Sequence, residues 1–181
     1  MFKLVVVGTV CAGLAAAASQ STWGVEQNVM GTIGTSVKFV DANHGYYPLV
    51  DNGSGSNVLE TRDGGETWNT LGNVSSPMFL ASDVKGNNIV VSTLFGAIYS
   101  TDGGKNFENA DMYSVGGQSV QFSQSKVWIP ANNYVMSSSD GGKEWTTHNI
   151  DVLKTDARYI AAPSDDVIYI TAGEWPQQNK Q

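Results

Sequence analysis

The octet Ser100–Phe107, "STDGGKNF", decides the fold because close variants of it occur twice more in the chain. Thr61–Trp68 reads "TRDGGETW", and Ser138–Trp145 reads "SSDGGKEW". The three aspartates stand at positions 63, 102 and 140, so the octet returns at an interval of about 39 residues. Self-similarity at a fixed interval indicates a structural unit that is repeated along the chain.

Short apolar runs recur at matching places in every repeat. In the first repeat "SVKFV", "GYYPLV" and "SNVLE" precede the octet, and a fourth run begins at its aromatic residue. Short strands at regular spacing, broken by Gly, Asn and Asp, are typical of an all-β array, and four strands per repeat form one propeller blade. We therefore predict an all-β chain, a β-propeller of four-stranded antiparallel blades with about 3.5 blades present. The predicted blades cover approximately 35–73, 77–111, 118–150 and, in part, 157–181, which makes the propeller a partial or truncated one.

The residue types of the octet fit a hairpin between the third and fourth strands of a blade. The aspartate can accept hydrogen bonds from backbone N–H groups of the turn, the glycines tolerate positive φ, and the aromatic ring packs on the hairpin. The Ser or Thr two residues before the aspartate can bond locally to the backbone. The residues to which we assign this structural role are Asp63, Gly65, Trp68, Ser100, Asp102, Gly104, Phe107, Asp140, Gly142 and Trp145.

The octets resemble the Asp-box, or BNR repeat, whose pattern is S/T-x-D-x-G-x-T-W/F. The first octet matches it fully, whereas Asn106 and Glu144 stand in place of the Thr in the second and third. The resemblance implies a propeller of the sialidase-like group, which also includes sortilin-type receptors, xyloglucanase-type hydrolases and photosystem II assembly factors. In these proteins the box is structural and identifies no activity by itself.

The first residues indicate export. Lys3 precedes an apolar run from Leu4 to Leu14, and small residues follow from Ala15 to Ala18, which is the layout of a secretory signal peptide. We predict a signal peptide at 1–18, a propeller domain at 19–181 and a secreted, extracellular protein. The only cysteine, Cys11, lies in this leader, so no disulfide framework or thiolate zinc site is expected. A lone outer strand is predicted near Ser21.

Composition and charge limit the classes of partner that we expect. The chain carries 17 acidic and 10 basic residues, and the bases form no cluster, so nucleic acid is not expected as a partner. No membrane span is expected either, because no segment after the leader is apolar over the length that a span needs. No cofactor and no metal ion are predicted, because the sequence lacks H-E-x-x-H and EF-hand patterns. A polysaccharide or other glycan, or a protein, is the expected ligand. Blade edges left open would favour self-association.

Candidate site residues are aromatic. Tyr46, Tyr47, Trp128 and Trp175 could form platforms on which a ligand stacks, although such residues more often fill the space between blades. His44, in a turn before a strand, is expected to be an exposed polar residue, and His148 shows no evident partner in the sequence. Two sequons, at Asn52 and Asn73, fall in predicted loops and are candidate N-glycosylation acceptors.

The predicted function is a non-catalytic binding or scaffold module, and we predict no catalytic residue. Sialidase chemistry needs several arginines, and the chain has only Arg62 and Arg158. A fragment of a glycoside hydrolase stays open as an alternative, since two carboxylates across a groove would suffice. The candidates outside the octets are Asp41, Glu108, Asp111, Asp165, Asp166 and Glu174. A photosystem-assembly type of propeller is the third alternative.

Overall fold

The computed structural model describes residues 32–34, 36–51, 55–74, 78–112, 117–150 and 156–173. These ranges form strands and turns and contain no helix, so the all-β prediction is confirmed. The predicted signal peptide, the lone strand near Ser21, Asn52 and Trp175 lie outside the described residues. The chain divides into two compact units, the first ending at Phe79 and the second beginning at Leu80.

The first unit holds one antiparallel sheet, here called sheet I. Its strands are β1 (Thr32–Gly34), β2 (Lys38–Phe39), β3 (Gly45–Asp51), β4 (Gly55–Thr61) and β5 (Asn69–Val74). Strands β3, β4 and β5 follow one another as a meander, while β1 and β2 both pair with the other edge of β3. The first strand of this sheet is therefore made of two short pieces. Asn73 lies on β5, paired with Asn57, and not in the loop predicted for it.

The second unit holds three further antiparallel sheets. Sheet II consists of β6 (Phe79–Lys85), β7 (Asn88–Thr93), β8 (Gly96–Ser100) and β9 (Glu108–Asn109). Sheet III consists of β10 (Gln121–Phe122), β11 (Val127–Ala131), β12 (Tyr134–Ser138) and β13 (Thr146–Asn149). Sheet IV consists of β14 (Ala157–Ala161) and β15 (Tyr169–Ala172). In each sheet the strands lie in chain order.

Central strands of the second unit are buried on both faces. Every residue of β8, "GAIYS", and of β11, "VWIPA", is buried, whereas every residue of the outer strand β13, "TTHN", is exposed. The apolar run of β11 is continuous because sheet II covers one of its faces and sheet IV packs on the other. Sheets II and III share one apolar core, which includes Val90, Tyr99, Ile129 and Met136.

Aspartates tie neighbouring sheets together near the hairpins that join first and second strands. Asp83 of sheet II accepts a hydrogen bond from the backbone N–H of Phe122 in sheet III at 2.7 Å. Asp165 of sheet IV accepts bonds from the hydroxyl of Ser123 at 2.5 Å and from the backbone N–H of Ser125 at 2.9 Å. A carboxylate thus satisfies backbone groups at each of these two junctions, and the order of the sheets in the second unit is fixed by polar contacts as well as by apolar packing.

Candidate functional site

The hairpins that carry the three octets share one set of hydrogen bonds. In the second octet the Ser100 hydroxyl donates to Asp102 Oδ1 at 2.8 Å and accepts from the backbone N–H of Gly104 at 2.8 Å. Asp102 also accepts from the backbone N–H of Asn106 at 3.0 Å and from its side-chain amide at 2.7 Å. Both glycines of this octet have positive φ, 76° and 85°. The turn is therefore held by side chains whose polar atoms are already used.

These bonds change the acidity of the aspartates in the octets. Bonds from the side chain and the backbone of Thr67, and then from Thr61, lower the pKa of Asp63 to about 2. Asn106 and Ser100 act in the same way on Asp102, whose pKa is also about 2. Hydrogen bonds to a carboxylate favour its charged form, so these groups stay ionised in weak acid and are poorly suited to donate a proton.

The third octet borders an open cleft of about 320 Å³ on sheet III. It is lined by Lys126, Ser137, Ser139, Asp140, Glu144, Trp145, Thr146 and His148. Five of these side chains carry hydroxyl, imidazole or ammonium groups, so the cleft offers hydrogen-bond donors and acceptors along one wall. Its volume lies at the lower end of the range that ligand sites occupy, roughly 300–1,000 Å³. This cleft is the candidate functional site.

Strand register places the polar wall of the cleft. Trp128 of β11 stands opposite Ser137 of β12, which stands opposite Thr146 of β13. Directly paired residues of an antiparallel sheet point to the same face, so these three side chains share one face, and His148, two residues along β13, joins them. The Ser137 hydroxyl and His148 Nε2 are hydrogen-bonded at 2.8 Å. The ring of His148 lies 5.6 Å from that of Trp128.

The charged residues of the cleft differ in the contacts that their side chains already make. Burial acts to raise the pKa of Asp140, but hydrogen bonds from the Ser138 hydroxyl and from two backbone N–H groups outweigh it and lower the pKa. Lys126 extends over the ring of Trp128, with Nζ 5.4 Å from its centroid, a distance at which a cation is attracted to the ring. Glu144 is exposed. In the part of the chain that the structure describes, no carboxylate is hydrogen-bonded to His148.

The described aromatic candidates, Tyr46, Tyr47 and Trp128, are not among the residues that line this cleft. Tyr46 and Tyr47 are each 2% exposed, and Trp128 is 6% exposed. Tyr47 packs edge-on against Trp68, with ring centroids 5.9 Å apart, while Trp128 joins an apolar cluster with residues of sheet IV. These contacts favour the space-filling role that the sequence left open. Ligand stacking by these side chains stays a prediction.

Sheet I carries a second group of polar side chains, around Glu60. Arg62 donates to both carboxylate oxygens of Glu60, at 2.7 and 3.1 Å, and His44 Nε2 lies 2.8 Å from Oε1. Tyr46 stands opposite Glu60 in the sheet. Burial, and then the charge of Glu60, raise the pKa of the Tyr46 hydroxyl. Because its oxygens already have partners, Glu60 acts here as the centre of a structural ion pair.

Three of the six carboxylates considered as candidates in the sequence hold turns or neighbouring strands, and Asp166 lies in the loop between β14 and β15. Asp41 accepts from the backbone N–H groups of Asn43 and His44, and Glu108 accepts from the hydroxyl of Tyr99 at 2.9 Å. Asp111 takes part through its backbone, in a bridge with Glu144, and the carboxylate of Asp165 ties sheet IV to sheet III. Glu174 lies outside the described residues. Within the described ranges, no group of three or more His, Cys, Asp or Glu side chains is arranged to hold a metal ion, and no helix could cross a membrane.

The pairing of Ser137 with His148 was missed in the sequence. The two residues are 11 positions apart and come together only through the register of β12 and β13. Once the octets are aligned, the alternation of side chains along each strand places both residues on one face. The signal was thus present, but only after the strand boundaries were known.

Comparison with solved structures identifies the fold as that of a β-propeller. A GH74 enzyme of Niastella koreensis aligns with a TM-score of 0.57 and 17% identity over 77% of this chain, and an ancestral GH74 enzyme with 0.55 and 20% over 71%. This chain spans only 26% and 20% of those two proteins. YCF48 bound to a D1 peptide aligns at 15% identity over 78% of this chain and 61% of its own, with a TM-score of 0.43, too low to support an argument.

No protein-family model matches the sequence, and no curated protein does. Identities of 20% and below establish the fold alone, so the activity of the GH74 enzymes is not transferred to this chain. The consecutive antiparallel sheets, stacked face to face in the second unit, agree with that fold. The chain forms part of a β-propeller.

Proposed function

We propose that this chain is part of a secreted Asp-box β-propeller and acts as a non-catalytic binding or scaffold module for a polypeptide or a glycan. The cleft on sheet III is its binding site. The observation that carries the proposal is that polar side chains of the cleft are already hydrogen-bonded to one another or within their turn. Ser137 is already bonded to His148, and Asp140 is already bonded within its turn.

A catalytic reading of the cleft lacks parts that the chemistry needs. A serine nucleophile requires a base that a third group orients, and no carboxylate among the described residues bonds to His148. A glycosidase requires a carboxylic acid with a raised pKa beside a second carboxylate. The cleft has two carboxylates, Asp140 and Glu144. The pKa of Asp140 is lowered, so Asp140 is not suited to be the proton donor beside Glu144.

The same groups suit binding. The exposed side chains of Thr146 and His148 present a hydroxyl and an imidazole beside the ammonium group of Lys126. Such a wall can exchange hydrogen bonds with backbone amides or with sugar hydroxyls, and hydrogen bonds of this kind set the orientation of a ligand. The partner is therefore expected to be polar and to lie along β13 at the edge of the sheet.

Binding and turnover should be measured together. Saturable binding of soluble oligosaccharides and of peptides is measured by calorimetry, and release of reducing ends is assayed in the same samples. His148→Ala should weaken binding at least fivefold, whereas Thr147→Ala, which alters the opposite face of β13, should not. Circular dichroism verifies that both variants fold.

Release of reducing ends by the unchanged chain, lost on Glu144→Gln, would show instead that it is a piece of a glycoside hydrolase. Binding that is insensitive to His148→Ala would place the site elsewhere.

Export is tested separately, by the presence of the processed chain in the culture medium of the host and the mass of its N-terminal peptide. Retention of residues 1–18 in the exported chain would contradict the signal peptide.

A further inference from the structure

Strand β13 directs half of its backbone groups away from its neighbour β12. Ile150, the residue after β13, donates its N–H to the carbonyl of Asn133 at 3.2 Å, so these two residues form a hydrogen-bonded pair. Along an antiparallel ladder such pairs alternate with pairs that share no hydrogen bond. Counting back along the register, the N–H and C=O groups of Thr147 and Asn149 point away from β12, to the outer edge of sheet III.

This outer edge has no strand beside it in the part of the chain that the structure describes. The strand order of sheet III ends with β13, which pairs with β12 alone. All four residues of β13 are exposed. The backbone groups of Thr147 and Asn149 are therefore accessible to an incoming strand.

The residues of β13 lack the features that protect an exposed strand edge. Proteins guard such edges with very short strands, charged side chains, proline or bulges. The outer strand of sheet II, β9, has only two residues and carries Glu108, and a register shift interrupts the pairing of β5 in sheet I. By contrast β13, "TTHN", pairs in regular register and contains no proline, acid or lysine. Its edge is suited to accept a further strand.

A polypeptide backbone matches this edge better than a glycan does. The outward groups of Thr147 and Asn149 recur every second residue, which is about 6.8 Å along an antiparallel strand. Another strand repeats its own N–H and C=O groups at the same interval, whereas sugar hydroxyls follow no such alternation. Side chains of the added strand that lie opposite Thr146 and His148 share their face and reach the mouth of the cleft.

Charge disfavours an acidic segment and a second copy of this chain. The formal net charge of the chain is −7, and the exposed Glu144 stands two residues before β13. Like charges repel as two molecules approach each other. A second copy would bring the same charge of −7, so a neutral or basic segment is the better match.

We infer that β13 accepts an extended, neutral or basic polypeptide segment of another protein as a fifth strand of sheet III. The inference rests on the proposed function, because it names the partner of the same binding site. Backbone hydrogen bonds to Thr147 and Asn149 hold the segment, and its alternate side chains lie beside Thr146 and His148. In this mode of recognition the main chain supplies affinity and the side chains at the cleft supply selectivity.

The test uses the full chain and a synthetic peptide with blocked ends, in which three threonines alternate with two valines between two lysines. A fluorophore on the peptide reports binding by anisotropy. Thr147→Pro removes an outward N–H and keeps the hydrogen bonds between β12 and β13, since proline is tolerated on edge strands. It should weaken binding at least tenfold, whereas Thr147→Val, which keeps the N–H, should change it less than twofold. Circular dichroism verifies that both variants fold.

Modified peptides test the same contact if Thr147→Pro does not fold. An added strand uses one of its two edges, so a peptide that is N-methylated on its three threonines keeps one complete edge and should still bind. N-methylation of the threonines and valines together blocks both edges and should abolish binding. Glutamates in place of the two lysines should weaken binding at least threefold.

Four results would overturn the inference. These are binding that a folded Thr147→Pro variant retains, binding of the peptide blocked on both edges, equal or tighter binding of the glutamate peptide, and no saturation at millimolar peptide. Self-association of the chain that Thr147→Pro removes would overturn it too, since a second copy would then be the occupant.

Oligosaccharides separate this inference from the proposed function. If an oligosaccharide binds and His148→Ala weakens its binding while the peptide does not bind, the added strand is wrong and the binding function stands. If neither ligand binds, both are wrong. Peptide binding that depends on the N–H of Thr147 but not on His148 would support the added strand and exclude the cleft as its site.

Discussion

Replacing Gly142 by alanine tests the packing between sheets II and III. The new methyl group would lie 2.7 Å from Val90 Cγ2 and 3.0 Å from Tyr99 Cβ, distances that force the neighbours to move. Overpacking of this kind costs about 1–3 kcal/mol. The φ of 106° adds a backbone cost of roughly 1–2 kcal/mol for a residue with a Cβ. We expect Gly142→Ala to lower the free energy of unfolding by about 2–5 kcal/mol.

Gly86 provides the matched control. Its φ is 59°, and nothing lies within 4 Å of a Cβ built there, so Gly86→Ala bears only the backbone cost of roughly 1–2 kcal/mol. The difference between the two variants therefore contains the steric cost of the junction together with the larger backbone cost at φ 106°. Urea unfolding followed by tryptophan fluorescence, extrapolated to water, gives both values.

A third variant makes the test sharper. Val90→Ala removes the methyl group that the new Cβ would meet, so Gly142→Ala should cost less in that background than in the unchanged chain. Contacting residues are expected to be non-additive in this way. If Gly142→Ala costs no more than Gly86→Ala, or if Val90→Ala fails to relieve that cost, the hairpin of the third octet does not pack against Val90 of sheet II.

Three further predictions concern hydrogen bonds. Asp165→Asn should lower stability in urea at pH 7, because the depressed pKa of this aspartate contributes stability above its ordinary value of 3.8; the deficit should shrink as the pH falls below that value, and a constant deficit would contradict the account. In a carboxyl NMR titration Asp63 and Asp102 should titrate near pH 2, and Thr67→Val should raise the pKa of Asp63 alone; a parallel rise in Asp102 would refute the local cause. Ser92→Ala deletes a fully buried hydroxyl that donates to the carbonyl of Gly117 at 2.7 Å and lies 3.3 Å from that of Ala81; it should cost about 1–3 kcal/mol in thermal unfolding, so a change below about 0.5 kcal/mol would argue against this bond.

The strands and their order could be predicted because local residue types determine them. Aspartate and paired glycines mark a hairpin whatever surrounds it, and the interval between octets gives the size of a sheet. The burial of Tyr46 and Trp128 could be expected from the sequence only as the commoner case, because it depends on which face of each sheet a neighbour covers. The break in the first strand of sheet I, between β1 and β2, left no mark in the apolar pattern.

The cleft could be predicted from the sequence only by aligning two repeats, which a search for single motifs does not do. Ser137 stands where sheet II has Tyr99, and a small polar residue at that place is unremarkable until the two sheets are aligned. Its partner His148 lies on an exposed strand with no apolar pattern. Sequence patterns locate the strands because buried positions are apolar at a regular spacing, whereas the polar residues of a cleft follow no periodicity.

The chain order of the strands has a consequence for how the polypeptide folds as it is made. In sheets II, III and IV each strand pairs with the strand that follows it, so the loops that must close are short and cost little chain entropy. Local pairing of this kind favours rapid folding, and domains emerging from the ribosome can fold in the order of synthesis. Each completed sheet then offers its far face as a template for the next, and growth of the array proceeds in one direction, from the N-terminus.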